Sequence, residues 1–247
     1  MSQEEVQKHI RCRPGDIAPV VLVPGDLGRA HKIAERLENV SELAHNREYI
    51  VYTGFYRGQP VGVCSTGIGG PAASIAFEEL AKVGVTTLIR VGSAGGRQPE
   101  IPLGTPVVIY ATHRGEGTSK VYLPPEFPAV ADLDLTNILI ESLKARGVEY
   151  RTGVGFTRDA YYVQDEALNA QLRDAGVVAA EQEAATLFIV GQVRGLRTAC
   201  IVATDSNIWL SPQPSLAEKE QAFRLGEATA IEAALEAAAT ATERGLV

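Results

Sequence analysis

The punctuation of this chain is what most narrows the folds open to it. Short apolar runs end abruptly at glycine or Pro-Gly, and longer amphipathic stretches fill the intervals. Residues Val20–Val23 read as a buried strand stopped by Pro24-Gly25, and residues 28–37 then set Ala30, Ile33, Ala34 and Leu37 at helical spacing. Tyr49–Tyr56 and residues 61–65 read as strands separated by a turn at Arg57-Gly58-Gln59-Pro60. Further strands are predicted over 87–91, 105–112, 150–156 and 197–204. Helices are predicted over 71–83, where Pro71 suits a first turn that needs no N–H, and over 132–146, closed by Gly147. Others are predicted over 165–174, 183–193 and 215–244, the last rich in alanine. Strands interleaved with helices give an α/β fold whose helices cover the sheet. No linker or repeat interrupts the 247 residues, so a single domain is expected over 1–247.

The formal net charge of -7 argues against broad attraction to nucleic acid or to an anionic membrane. It leaves room for an anion held by a few local arginines. Cys12, Cys64 and Cys200 are odd in number and widely spaced, which suggests neither a disulfide framework nor a zinc site. The opening MSQEEVQKHI lacks the basic and apolar regions of a signal peptide, and no apolar stretch reaches the roughly 20 residues needed to span a bilayer. A cytoplasmic protein is expected.

Ligand sites in such folds gather where strands end in glycine-rich turns. Pro24-Gly25-Asp26, Gly67-Ile68-Gly69-Gly70 and residues 92–96 qualify, each letting backbone N–H groups approach a ligand. Arg90 ends an apolar strand, where an unpaired guanidinium is costly to bury. A structural ion pair would explain it, but the neighbouring glycines expose donors and Ser93 adds a hydroxyl, which together make a phosphate cradle. Arg29 lies in a first helical turn, where the dipole disfavours a cation. An anion at that helix start would account for its placement.

Taken in order, VLVPGDLGRAHKIA, NREY, VCSTGIGGPAASIAFEEL, LIRVGSAGG, EFPAVAD, the run EQEAATL and GLRTACIVAT resemble the nucleoside phosphorylase family, which contains uridine phosphorylase and the hexameric purine nucleoside phosphorylases. The resemblance spans nearly the whole chain, with 63–98 and EFPAVAD most like uridine phosphorylase. It implies a three-layer α/β/α fold around a mixed, twisted sheet. It also implies a pentosyltransferase that cleaves a (deoxy)ribonucleoside with inorganic phosphate, giving free base and (deoxy)ribose 1-phosphate. By this resemblance Gly25, Arg29, Arg90 and Ser93 bind phosphate, and Arg47 reaches a neighbouring subunit's site. His9 crosses the dimer interface toward the ribose 5′-hydroxyl. Read alone, Arg47 is a surface charge and His9 an exposed tail residue. Glu181, Gln182 and Glu183 map to the ribose contact, with Glu183 assigned to the 2′- and 3′-hydroxyls because a carboxylate offers two acceptor oxygens. Read alone, these acids are what a helix N-terminus favours. Gln182 stands where the family usually has Met.

Tyr161 takes the place of the aromatic that stacks on the base; a core aromatic is the alternative. Uridine phosphorylases grip uracil with a glutamine and an arginine two residues apart, and at those positions this chain has Asp165 and Ala167. Gln164 and Arg158 lie nearby at other spacings. Purine-type relatives carry an acid that protonates the leaving base. Asp205 is the candidate here, with Ser206 at the ungapped position and Asn207 as a further base contact; a polar turn is the alternative. The catalytic assignments are therefore Arg90, Asp205 and Glu183. The implied partners are nucleoside, phosphate and further copies of the chain, in a dimer at least and a hexamer by resemblance. No cofactor or resident metal is expected, although a potassium site known at the dimer interface of uridine phosphorylases is matched at Glu48 and Ile68, with Ala72 replacing a serine. Three rivals remain: a purine nucleoside (or methylthioadenosine) phosphorylase with Asp205 as its base-protonating acid, a non-catalytic nucleoside- or phosphate-binding protein on this scaffold, and a dinucleotide-binding enzyme. Against the last, neither glycine run follows a first strand with the spacing G-x-G-x-x-G.

Overall fold

The computed structural model describes residues 5–247; the opening MSQE of the segment read for a signal peptide lies outside them. The first half runs β1 (Val20–Val23), α1 (Leu27–Ala34), β2 (Glu38–Asn46), β3 (Tyr49–Tyr56), β4 (Gln59–Cys64), α2 (Gly70–Lys82), β5 (Thr87–Gly96) and β6 (Pro106–Gly115). The second runs α3 (Thr118–Tyr122), β7 (Ala129–Val130), α4 (Leu133–Ala145), β8 (Arg151–Arg158), α5 (Glu166–Asp174), β9 (Ala179–Glu181), α6 (Ala184–Arg194), β10 (Arg197–Asn207) and α7 (Leu216–Glu243). Local chemistry sets several boundaries. Asp26, Asp132, Asp165 and Ser215 each cap a helix by accepting from a backbone N–H in its first turn.

The sheet is mixed, as expected. β1 lies parallel to β4 and β5, β3 lies antiparallel to β2 and β4, and β10 lies parallel to β5 and antiparallel to β6. Apolar residues alternate between its faces. Val21 and Val23 of β1 join a core with α2 and α6, while Val20 and Leu22 join a second core with α1, α4 and α7. Helices thus cover both faces. No helix among the described residues is long and apolar enough to cross a membrane.

The sequence does not disclose that part of the sheet closes on itself. β10 pairs with both β5 and β6, β6 with β8, β8 with β9, and β9 again with β5. The first half of β5 is held on one side by β1, as far as Arg90, and β9 takes over that side only at Gly95. Residues 91–94 have no strand neighbour there, and the polar groups of that gap face the cavity described below.

Three strands and one helix escaped the sequence pattern: β2, β7, β9 and α3. β2 is a polar edge strand, ENVSELAHN, with no buried residue and two register irregularities against β3, so it carries no apolar alternation to read. The predicted helix 28–37 stops at Ala34. β5 and β10 run on through glycines and polar residues to Gly96 and Asn207, because each supplies the other's ladder.

Candidate active site

A cavity of about 940 Å³ opens at the C-terminal ends of β1 and β5. Its walls come from the turn after β1 (Gly25, Asp26, Arg29), the middle of β5 (Arg90, Ser93) and the strand-to-helix passage at Glu181, Gln182 and Glu183. Arg158, Tyr161, Gln164, Asp205, Ser206 and Asn207 line its other end.

Arg90 is buried at the centre of the sheet, between Val23 and Cys200 on the flanking strands. Gly92 lies two residues on, on the same face of β5, and lets the guanidinium fold back over the strand: a Cβ there would stand 2.7 Å from Nη2. Nε donates to Oε2 of Glu181 at 3.0 Å, and Nη2 pairs with Oε2 of Glu183 at 2.5 Å. Burial opposes the charge, but Glu183 and Glu181 more than offset it, so Arg90 titrates above its ordinary range and stays protonated. Nη1 has no partner among the described residues and points at the Gly25 turn, 3.9 Å from where a Cβ of Gly25 would be. Arg29 has a similar arrangement. Its Nε donates to Glu227 of α7 at 2.8 Å and Nη1 to the Val91 carbonyl at 3.2 Å, inside the gap in β5. Each arginine therefore keeps one terminal nitrogen for an anion, beside the Ser93 hydroxyl.

Glu181 is engaged at both oxygens. Besides Arg90 it accepts from Thr157 Oγ1 at 2.5 Å and from the Glu183 and Ala184 amides. Its Oε2 positions the guanidinium, while Oε1 accepts from Thr157 alone. Glu183 accepts the Gly69 amide at 2.6 Å on its other oxygen. Burial, with the neighbouring Glu181 carboxylate adding to it, raises its carboxyl above the usual range and outweighs Arg90. Each of its oxygens keeps a lone pair toward the cavity. Gln182 lines the cavity but donates its amide to the Asp159 carbonyl at 2.8 Å.

The other predicted residues fall in different places. Tyr161 is exposed at the rim, packed edge-on against Tyr162, and is not a core aromatic. Asp165 does not line the cavity; its carboxylate caps α5 by accepting from the Leu168 amide, which corrects its assignment to the base. Asn207 lines the cavity, but its amide donates to the Gln98 and Ile101 carbonyls and its oxygen accepts from the Trp209 amide. It ties loops together, which corrects its reading as a base contact. Arg47 is exposed at the turn between β2 and β3, outside this chain's cavity. His9 is also outside: its Nδ1 bonds Glu79 at 2.6 Å, and Glu79 accepts from the His9 and Ile10 amides as well. It is half-buried and anchored, not a free tail residue.

Asp205 sits where the β10 register against β5 slips, between Thr204 and Ser206, and this bulge turns it into the cavity. It accepts from Ser206 Oγ at 2.7 Å. Burial raises its carboxyl, outweighing Ser206 and Arg29. Below the ordinary aspartate value both folded and unfolded chains hold the proton. Between that value and the raised one only the folded chain does, and above it the native state carries a poorly solvated carboxylate. The stability contributed at low pH is therefore lost as pH rises. Melting temperatures of Asp205→Asn and the parent, compared from pH 4 to pH 8, are expected to diverge upward in the variant's favour; parallel curves would show that the carboxyl is not shifted.

Arg97 and Lys219 also line the cavity and were not foreseen. Arg97 follows the glycine run and looks like a turn residue in sequence, and Lys219 lies 190 positions beyond Arg29 in the first turn of α7.

The chain matches the family model described as the phosphorylase superfamily over residues 19–239. It is 42% identical over 243 residues to the uridine phosphorylase of Thermococcus kodakarensis, covering 93% of this chain and 88% of that one. It is 37% identical over 202 residues to the guanosine phosphorylase of Halorubrum lacusprofundi, covering 82% and 84%. The crystal structure of uridine phosphorylase from Vibrio fischeri ES114 superposes with a TM-score of 0.89 at 37% identity, covering 95% of this chain and 97% of that one. A cradle built where β1 ends and along β5, and a match over most of the length, agree: this chain belongs to the phosphorylase superfamily.

Proposed function

We propose that this protein cleaves nucleosides with inorganic phosphate, most like uridine phosphorylase, with nucleoside and phosphate as its only small-molecule partners. The observation that carries this reading is the pair of buried guanidiniums, Arg29 and Arg90, each fixed by a carboxylate and each presenting a spare nitrogen to one cavity whose other wall holds Glu183. Phosphate bound by Arg29, Arg90, Ser93 and the Gly25 turn attacks C1′ through one oxygen. The C1′–N bond breaks, its electron pair leaves with the base, and the base takes up a proton. The sugar passes through an oxocarbenium-like state, stabilised by the anion beside it, and fixing both reactants removes entropy from the barrier.

Arg47 and His9 lie outside this chain's cavity, and we assign them to the cavity of a second copy, which makes a dimer the smallest complete unit and a hexamer its natural extension. We place the enzyme in the cytoplasm, in keeping with three buried free thiols. A purine reading is favoured by one observation, the raised carboxyl of Asp205 inside the cavity, which suits a proton donor to a leaving purine.

Base release from uridine, thymidine, inosine, adenosine and methylthioadenosine, each with and without phosphate, tests the proposal. Phosphate-dependent uracil release with formation of ribose 1-phosphate is the expected result. Release that proceeds equally in water alone, or tight nucleoside binding with no release, would overturn it.

A further inference from the structure

Four arginines of this chain are buried: Arg29, Arg90, Arg97 and Arg114. Three are compensated. Arg29 has Glu227, Arg90 has Glu181 and Glu183, and Arg114 donates to Ser119 and to the carbonyls of Ser119, Leu123, Pro124 and Phe127. Arg97 is not. It is 3% exposed, its Nε is buried without a partner, and Nη1 makes one long contact, 3.4 Å, to Asn169 Oδ1. Among the described residues no carboxylate pairs with it. Its remaining face lines the cavity, with Arg158 and Gln164.

A guanidinium withdrawn from water without an acceptor is costly, so the fold is incomplete at this point until something in the cavity accepts from it. A second cation makes the site more demanding. Burial first, and then Arg158, draw Arg97 down to about 10, so it remains protonated at neutral pH. Arg158 donates to the Tyr161 and Val163 carbonyls and, as a guanidinium, offers Arg97 no acceptor.

We propose that Arg97 is a specificity-determining residue that selects nucleobases bearing a carbonyl at C4 of a pyrimidine or C6 of a purine, as in uracil and the 6-oxopurines, over bases that carry an amino group at that position. The inference rests on the phosphorylase reading above and names its substrate class. A guanidinium only donates. A carbonyl oxygen meets it directly, and on an oxopurine the neighbouring ring nitrogen completes a bidentate pair. An amino group sets N–H against N–H and leaves Arg97 buried and unmet, and sites built around such a group reject the wrong analogue strongly. The negative charge that the leaving base gains is shared with that carbonyl, so Arg97 acts on kcat as well as on KM.

The test removes the carbonyl and the arginine in turn. Phosphate-dependent cleavage of uridine and inosine is compared with that of pyrimidin-2-one riboside and purine riboside, which lack the C4 carbonyl of uracil and the C6 carbonyl of hypoxanthine respectively, by the parent and by Arg97→Met. The parent is expected to prefer the carbonyl-bearing member of each pair by about 30-fold or more in kcat/KM, the range of one hydrogen bond to a charged group. Arg97→Met is expected to shrink that preference to about threefold or less, with the KM for phosphate unchanged. Arg97→Gln, a shorter neutral donor, should restore part of it. Because methionine removes an unpaired buried charge, its melting temperature should be no lower than the parent's. A preference that survives in folded Arg97→Met overturns the proposal, as does a loss falling equally on both members of each pair. If the parent cleaves no nucleoside, the phosphorylase reading fails by itself, and the same ratio read from the dissociation constants of the four nucleosides still decides the role of Arg97.

Discussion

Arg90→Met is expected to lose about a thousandfold or more in kcat/KM and about 3–5 kcal/mol of stability together. Both losses have one origin. Among the described residues the guanidinium is the only cation bonded to Glu181 and Glu183, and both carboxylates are buried. Without it they face each other uncompensated, and the anion site loses the donor aimed at the Gly25 turn. Arg90→Lys keeps the charge but cannot reach three groups with a planar fork, so it should recover part of the stability and little of the activity. Denaturant unfolding and steady-state kinetics on the same preparations check the pairing. A folded Arg90→Met that keeps a tenth of the parent's kcat/KM would show that the phosphate lies elsewhere.

The second large effect is expected far from the cavity. Gly226 of α7 crosses the turn at Gly104 in backbone contact, and a Cβ on Gly226 would stand 2.2 Å from the Gly104 carbonyl oxygen. The turn cannot easily retreat, since Gly104 has φ +77° and a Cβ there would in turn meet the Ala222 carbonyl at 2.4 Å. Gly226→Ala should therefore cost about 2–4 kcal/mol despite the better helix former, seen as a melting temperature lower by about 5–12 °C. Glu227, the next residue, holds Arg29, so the KM for phosphate should rise in the same variant. A melting temperature within 2 °C of the parent, the shift expected for about 0.5–1 kcal/mol, would mean that the crossing relaxes and the argument is wrong.

Much of this architecture was readable from local pattern. Tyr49–Tyr56 was predicted with its observed limits, and the helices over 71–83, 132–146 and 215–244 fell within a residue or so of α2, α4 and α7, since apolar spacing and capping residues mark them locally. β9 was not readable, because three residues, Ala179–Glu181, carry no period. In the site, Gly25 and Arg29 stand out because they follow β1 within a few residues, and Arg90 and Ser93 because they lie where an apolar run gives way to glycines. What fixes their geometry is remote: Glu227 lies 198 positions from Arg29, and Glu181 lies 91 from Arg90. Asp165 and Asn207 were misassigned for a related reason. A short polar side chain that caps a helix or ties two loops looks, in sequence, like one that contacts a ligand. Arg97 shows the converse, a residue that reads as an ordinary turn polar group until the closure of the sheet buries it.

The circular pairing of β5, β10, β6, β8 and β9 separates what can drift from what cannot. β5 is bonded to β10 along its whole length and to β1 and then β9 on either side of the gap at 91–94, so it cannot slide without breaking several ladders at once, and the backbone that carries Arg90 and Ser93 tolerates little change. The segments 159–164 and 208–213, outside the ring and largely exposed, have no such constraint. Descendants of this scaffold can exchange those segments, which border the cavity at Tyr161, Tyr162, Gln164, Ile208 and Gln213, while the backbone that holds Arg90 and Ser93 stays as it is.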